Sequence, residues 1–158
     1  MLGIILIGVL VMPQVGLWSR IEQAHGELAG GIPLTRYAPV SKWLSEHTLA
    51  DSIVVQSDWD DWPMLFYFNT HNRYIVGLDP TFMYNFDPNL YASWAALTGE
   101  GRADTLVAFV TQKLSSRYVL VGKDHTALQH LLASNIYFRL VYEDDETWVY
   151  QFISSETI

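Results

Sequence analysis

Apolar residues run from Met1 to Trp18 without a single charged side chain, and only after Trp18 does the chain break into short, alternating apolar and polar blocks. The first block, MLGIILIGVLVMPQVGLW, is dominated by Leu, Ile and Val, with Gln14 its one strongly polar residue. As a helix rising about 1.5 Å per residue it reaches about 27 Å, close to a hydrocarbon core of about 30 Å. Trp18 and Arg20 close it in the manner of interfacial anchors. Residues 1–18 are therefore expected to form a transmembrane helix. Its abrupt start at Met1 reads as the tail of a longer span in a larger polytopic protein. Two alternatives stand beside it. A cleaved secretory signal wants a basic start and a small-x-small site, and the run shows neither. A buried core helix wants one apolar stripe, whereas here every face is apolar.

Residues 19–37, with Gly26, Gly30, Gly31 and Pro33, read as a connector. Pro39 opens a helix, VSKWLSEH, whose Val40, Trp43 and Leu44 share one face. DSIVVQS follows as a buried strand, and Asp60 or Asp61 is placed to cap a helix over PMLFYFN with Pro63 in its first turn. RYIVGL (73–78) reads as a second strand, turned by Asp79-Pro80. Asp87-Pro88 starts a helix through Tyr91, Trp94 and Leu97 that Gly99 and Gly101 stop. Asp104 is expected to cap TLVAFVTQKLSS, a helix with Leu106, Phe109, Val110 and Leu114 on one stripe. RYVLVG is a third strand, and Asp124 is expected to cap a helix through Leu128, Leu131 and Leu132. IYFRLVYE and TWVYQFI, joined by the acidic turn EDDE, form a closing hairpin.

Strands alternating with helices specify an α/β fold: an N-terminal transmembrane helix, then a mostly parallel sheet covered by helices, with a C-terminal antiparallel hairpin. The expected organisation is a membrane helix over 1–18, a connector over 19–37, a soluble domain over 38–153 and a tail over 154–158.

Composition narrows the partners. The formal net charge of −8 argues against nucleic acid, whose phosphates require clustered Lys and Arg, and against anionic headgroups. The absence of cysteine excludes disulfides and thiolate chemistry. Between Trp18 and Lys42 only Arg20 and Arg36 are basic, a sparse flank that places the domain outside the cytoplasm.

The densest polar cluster is SDWDDWP (57–63), where the first strand ends. Ligands bind beyond the carboxyl ends of strands in open parallel sheets. Trp59, Asp60 and Asp61 are thus candidate ligand-binding residues, joined by Asp79 beyond the second strand and by His71 and Arg73 before it. Asp58-Trp59-Asp60 has the Asp-x-Asp form that can hold a divalent cation, but capping and the helix dipole explain these aspartates equally well. No residue is assigned as a metal ligand, no cofactor is expected and no catalytic residue is identified. His125 and His130, five apart, miss the four-residue spacing of a helical zinc pair. Neither a G-x-G-x-x-G nor a P-loop is present. Trp59, Trp62, Tyr67, Phe82, Tyr84, Tyr91 and Trp94 make the middle third aromatic. Most such rings fill cores, and Trp59, inside the polar loop, is the exception suited to stacking on a sugar.

The stretch from Val40 to Asp79 (KWLSEHT, then DSIVVQSDWDDWP, then LFYFNTHNRYIVGLDPTFMY) resembles the C-terminal soluble segment of bacterial multi-spanning membrane proteins. These are GT-C type glycosyltransferases, similar to dolichyl-phosphate-mannose-protein mannosyltransferases. The resemblance implies a bacterial inner-membrane protein with this domain on the extracytoplasmic side. It implies as partners the bilayer through residues 1–18, the remainder of a polytopic chain, and a glycan or lipid-linked sugar. The catalytic acidic loop of such enzymes has no counterpart in this sequence, so the domain would be accessory to a transferase using a polyprenyl-phosphate donor. A membrane-anchored binding or scaffold module without enzymatic activity is the alternative.

Overall fold

A computed structural model describes residues 33 and 35–153. The expected membrane helix over 1–18, most of the connector and the tail over 154–158 lie outside them. Among the described residues no helix is long and apolar enough to cross a membrane.

Period-two alternation in three strands builds the domain. β1 (Ile53–Gln56), β3 (Tyr118–Gly122) and β5 (Thr147–Phe152) lie side by side, and their successive side chains point to opposite faces. Val55, Val119, Val121 and Tyr150 enter one core; Val54, Leu120 and Val149 enter the other. Both faces are therefore apolar and both must be covered. On one side lie α1 (Ala38–His47), contributing Val40 and Leu44, and α2 (Trp62–Phe68), contributing Leu65. On the other lie α4 (Pro88–Glu100) with Leu97, α5 (Leu106–Ala108) and the π-helical turn Phe109–Lys113 that continues it, and α6 (Thr126–Ala133) with Leu128 and Leu132. The result is an α/β domain with a five-stranded mixed sheet and a C-terminal antiparallel hairpin.

Strand order is β2-β1-β3-β5-β4, where β2 is Arg73–Tyr74 and β4 is Phe138–Glu143. β1 pairs in parallel with β2 on one side and with β3 on the other. β5 is antiparallel to both β3 and β4, so β4 runs in the direction of β3. The reversed strand is thus inserted inside the sheet rather than added at its margin.

Several local expectations hold. Asp87 accepts hydrogen bonds from the backbone N–H groups of Asn89 and Leu90, capping α4. Gly101 ends that helix at φ +61, and a Cβ there would lie 2.5 Å from the backbone of Ala127. Others are corrected. The second strand stops at Tyr74 instead of running to Leu78, because the buried Gln56 carboxamide takes over the pairing. Its Oε1 accepts from Ile75 N at 3.1 Å and its Nε2 donates to the Val76 carbonyl. A short helix, α3 (Thr81–Phe86), stands where only a turn was expected. Asp104 and Asp124 do not cap: the residues at the starts of α5 and α6 are Thr105 and His125, without side-chain caps. Asp61 stands at the start of α2, but its side chain makes no capping bond either.

Candidate functional site

The chain leaves β1 for β2 in one direction and reaches β3 on the other side of β1, so the strand order reverses between β1 and β3. Crevices at such reversals, beyond the carboxyl ends of the strands, are where open α/β sheets hold ligands. Ser57 ties the ends of β1 and β3 together. Its N–H donates to the Leu120 carbonyl at 2.9 Å, and its hydroxyl accepts from Gly122 N at 2.9 Å. The loop after β1 (58–61) and the loop after β3 (123–125) therefore emerge together. The hairpin turn at 144–146 joins the same edge, since Thr147 pairs with Gly122.

This edge gathers Asp58, Asp60, Asp61, Asp124, Glu143, Asp144, Asp145 and Glu146, with Arg36, Lys123 and His125 as the nearby basic groups. Much of the charge is internally engaged. Lys123 Nζ lies 2.5 Å from Glu143 Oε1 and 3.9 Å from the centre of the Trp148 ring. Arg36 Nε is 2.7 Å from Glu146 Oε2, and Asp144 accepts from Thr147 N and Glu146 N in the turn. His125 bridges to Asp58 with Nε2 3.5 Å from Oδ2, while its Nδ1 lies 3.0 Å from the Thr98 carbonyl at the end of α4.

Asp61 is the most constrained carboxyl. It is buried, 7% exposed, and accepts the hydroxyl of the equally buried Tyr37 at 2.5 Å. Burial pushes its pKa up to about 6; the Tyr37 hydrogen bond opposes that rise, and the charges of Asp58 and Asp60 add to it. The Tyr37 phenol is raised in turn, first by burial and then by Asp61. Asp60 is exposed to solvent as a residue, yet desolvation of its carboxyl, then the Asp58 charge, holds its pKa above the usual value. Trp59, between Asp58 and Asp60 in the loop, is 38% exposed. Among the described residues no three His, Asp or Glu side chains form a group that could hold a metal ion.

Of the six residues singled out in the sequence, Trp59, Asp60 and Asp61 share this edge. His71 and Arg73 do not. Arg73 pairs with Ile53 at the start of β1 and its Nε lies 2.9 Å from Asp51 Oδ1, which puts it at the amino ends of the strands. His71 is there too, its Nε2 3.0 Å from the Thr48 carbonyl. A residue that precedes a parallel strand cannot flank a residue that follows its neighbour. Asp79 lies beyond the carboxyl end of β2, but its carboxylate accepts from Thr81 N at 2.7 Å and from the Thr81 hydroxyl. Those bonds hold its pKa below the ordinary value, and Asp79 serves the start of α3.

Sequence reasoning missed Arg36, Tyr37, Asp124 and His125. His125 carried a usable signal, since it follows the third strand by three residues and so had to emerge beside the loop after β1. Tyr37 carried none; it fell within the expected connector. Comparison with protein-family models, curated proteins and solved structures finds no match.

Proposed function

We propose that the chain is the C-terminal extracytoplasmic domain of a membrane-embedded glycosyltransferase of the GT-C type, which takes sugar from a polyprenyl-phosphate donor. In this reading residues 1–18 enter the bacterial inner membrane, and the α/β domain is accessory, with no catalysis of its own. The observation that supports the reading is the carboxylate-rich loop cluster at the carboxyl ends of β1 and β3, with the exposed Trp59 in it.

The chemistry of that loop cluster selects the ligand class. Carboxylates accept hydrogen bonds from hydroxyl groups, and an indole face packs against the apolar face of a pyranose ring. The surplus of negative charge repels phosphate, so the lipid-linked donor is a poor occupant and a neutral acceptor glycan a suitable one. The domain would then hold acceptor near the membrane while the chemistry proceeds elsewhere in the polytopic protein.

The test is binding of neutral oligosaccharides to the full chain in nanodiscs, measured by calorimetry. Trp59→Ala with Asp60→Asn should weaken binding while leaving the melting temperature nearly unchanged. Equal binding by the variant removes this loop cluster from the account. The alternative, a free-standing membrane-anchored scaffold, is separated by the genomic sequence before Met1. A reading frame continuing upstream through many apolar segments and an acidic loop supports the transferase, and a stop codon immediately before Met1 supports the scaffold.

A further inference from the structure

Between Trp62 and Phe86 the chain has eight aromatic residues and only two charged ones, Arg73 and Asp79. Folding leaves much of this material in water. Phe66 is 46% exposed, Tyr67 79%, Leu78 63%, Phe82 68%, Tyr84 51% and Phe86 84%. Phe66, Phe82 and Phe86 are connected through Trp62 and Gly77. The Phe66 ring stacks on Trp62 at 4.8 Å, and the Trp62 ring abuts Gly77 so closely that a Cβ there would lie 2.7 Å away. Gly77, Phe82 and Phe86 then line a common cavity of about 320 Å³. Tyr84 meets Tyr91 edge to face at 5.6 Å. A buried aromatic ring removes about 150–250 Å² from water, so the five exposed rings leave roughly 500–800 Å² of side-chain surface open, at the scale that marks an interaction face.

We infer that this face, from α2 across Leu78 to α3, rests in the interfacial zone of a zwitterionic lipid bilayer. The inference rests on the reading that residues 1–18 enter that bilayer. Three features choose the bilayer. Phe and Leu are mixed with Tyr, whose amphipathic rings favour the headgroup level. The segment is nearly free of charge, while the chain's −8 is carried elsewhere, so the face suits zwitterionic headgroups. Residues 19–34 reach at most about 55 Å when fully extended. A domain tethered that closely meets the surface at high effective concentration, and a weak contact becomes populated.

The absence of cysteine makes a direct test possible. Phe82→Cys, Phe86→Cys, Leu49→Cys, Ile136→Cys and Leu10→Cys would each carry a nitroxide label in the full chain, reconstituted in phosphatidylcholine nanodiscs. Accessibility to oxygen and to a water-soluble nickel chelate reports the depth of each label. Labels at 82 and 86 should shift toward oxygen access and away from nickel. Those at 49 and 136, on residues 83% and 71% exposed outside this face, should remain nickel-accessible. Aqueous labels at 82 and 86 beside a lipid-exposed label at 10 would overturn the contact and leave the anchor standing. An aqueous label at 10 as well would overturn the anchor and the contact with it. Dipolar broadening at 82 and 86 that persists without lipid would assign the face to a second copy of the chain and also overturn the inference. The two aromatic sites are exposed enough to accept the substitution, and unchanged circular dichroism of the labelled chains verifies that they do.

Discussion

Tyr37 donates its hydroxyl to the carboxylate of Asp61 at 2.5 Å, across 24 positions of sequence, and both residues are buried. The bond ties the start of α1 to the loop that leaves β1. It engages Asp61 in a contact other than capping. The Asp61 backbone is already helical, at φ −68 and ψ −22, whereas a capping residue takes an extended conformation.

The first prediction follows from that burial. An ordinary Asp titrates near 3.9, whereas folding raises Asp61 to about 6. The folded chain therefore binds this proton more tightly than the unfolded chain. Its stabilising contribution is complete below about pH 4 and is lost as pH rises through about 6, a difference of roughly 3 kcal/mol. Asp61→Asn, neutral throughout, should match the wild type near pH 4 and exceed it by about 1–3 kcal/mol at pH 7.5. Urea melts at both pH values check this, and a variant less stable at pH 7.5 contradicts it.

Tyr37→Phe tests the other half of the pair. The ring is kept, so packing and the Arg36 guanidinium 5.2 Å from its centre are preserved. At pH 7.5 the loss of the donor to a buried carboxylate should cost about 1–3 kcal/mol. The same change made together with Asp61→Asn should cost less, because a hydrogen bond to a charged acceptor is the stronger one. A double-mutant cycle reads the difference directly.

The sequence pattern made β1, β3, the hairpin, the Asp87 cap and the Gly101 stop legible, because each depends on residues within a few positions of one another. It overextended the second strand, because Gln56, seventeen positions before Arg73, substitutes a side chain for backbone pairing. It passed over α3, where exposed rings at Phe82, Tyr84 and Phe86 give no apolar stripe facing a core. At the β1/β3 reversal, Trp59, Asp60 and Asp61 were found from their place after a strand. Arg73 and His71 were misplaced by counting nearness in sequence instead of strand direction. His125 was judged only against a zinc spacing with His130, although its partner is Asp58.

The Gln56 carboxamide gives a prediction about the sheet edge. Gln56→Leu fills the same buried space but leaves the Ile75 N–H and the Val76 carbonyl without their partner. Two unsatisfied backbone groups should cost roughly 2–4 kcal/mol. Hydrogen exchange should quicken at Ile75 beyond any change at Val119 in the centre of the sheet. Uniform quickening across both strands would mean that Gln56 supports the whole sheet instead of its edge.

The most direct test of a ligand site at the β1/β3 reversal is a chemical-shift map of the full chain in nanodiscs as a neutral oligosaccharide is titrated in. Backbone and indole signals of Ser57–Asp61 and Lys123–His125 should move together along one saturating curve, while His71 and Arg73, at the amino ends of the strands, stay fixed. No movement at 57–61, or movement centred on 71–73, would contradict the assignment of a ligand site to the β1/β3 reversal.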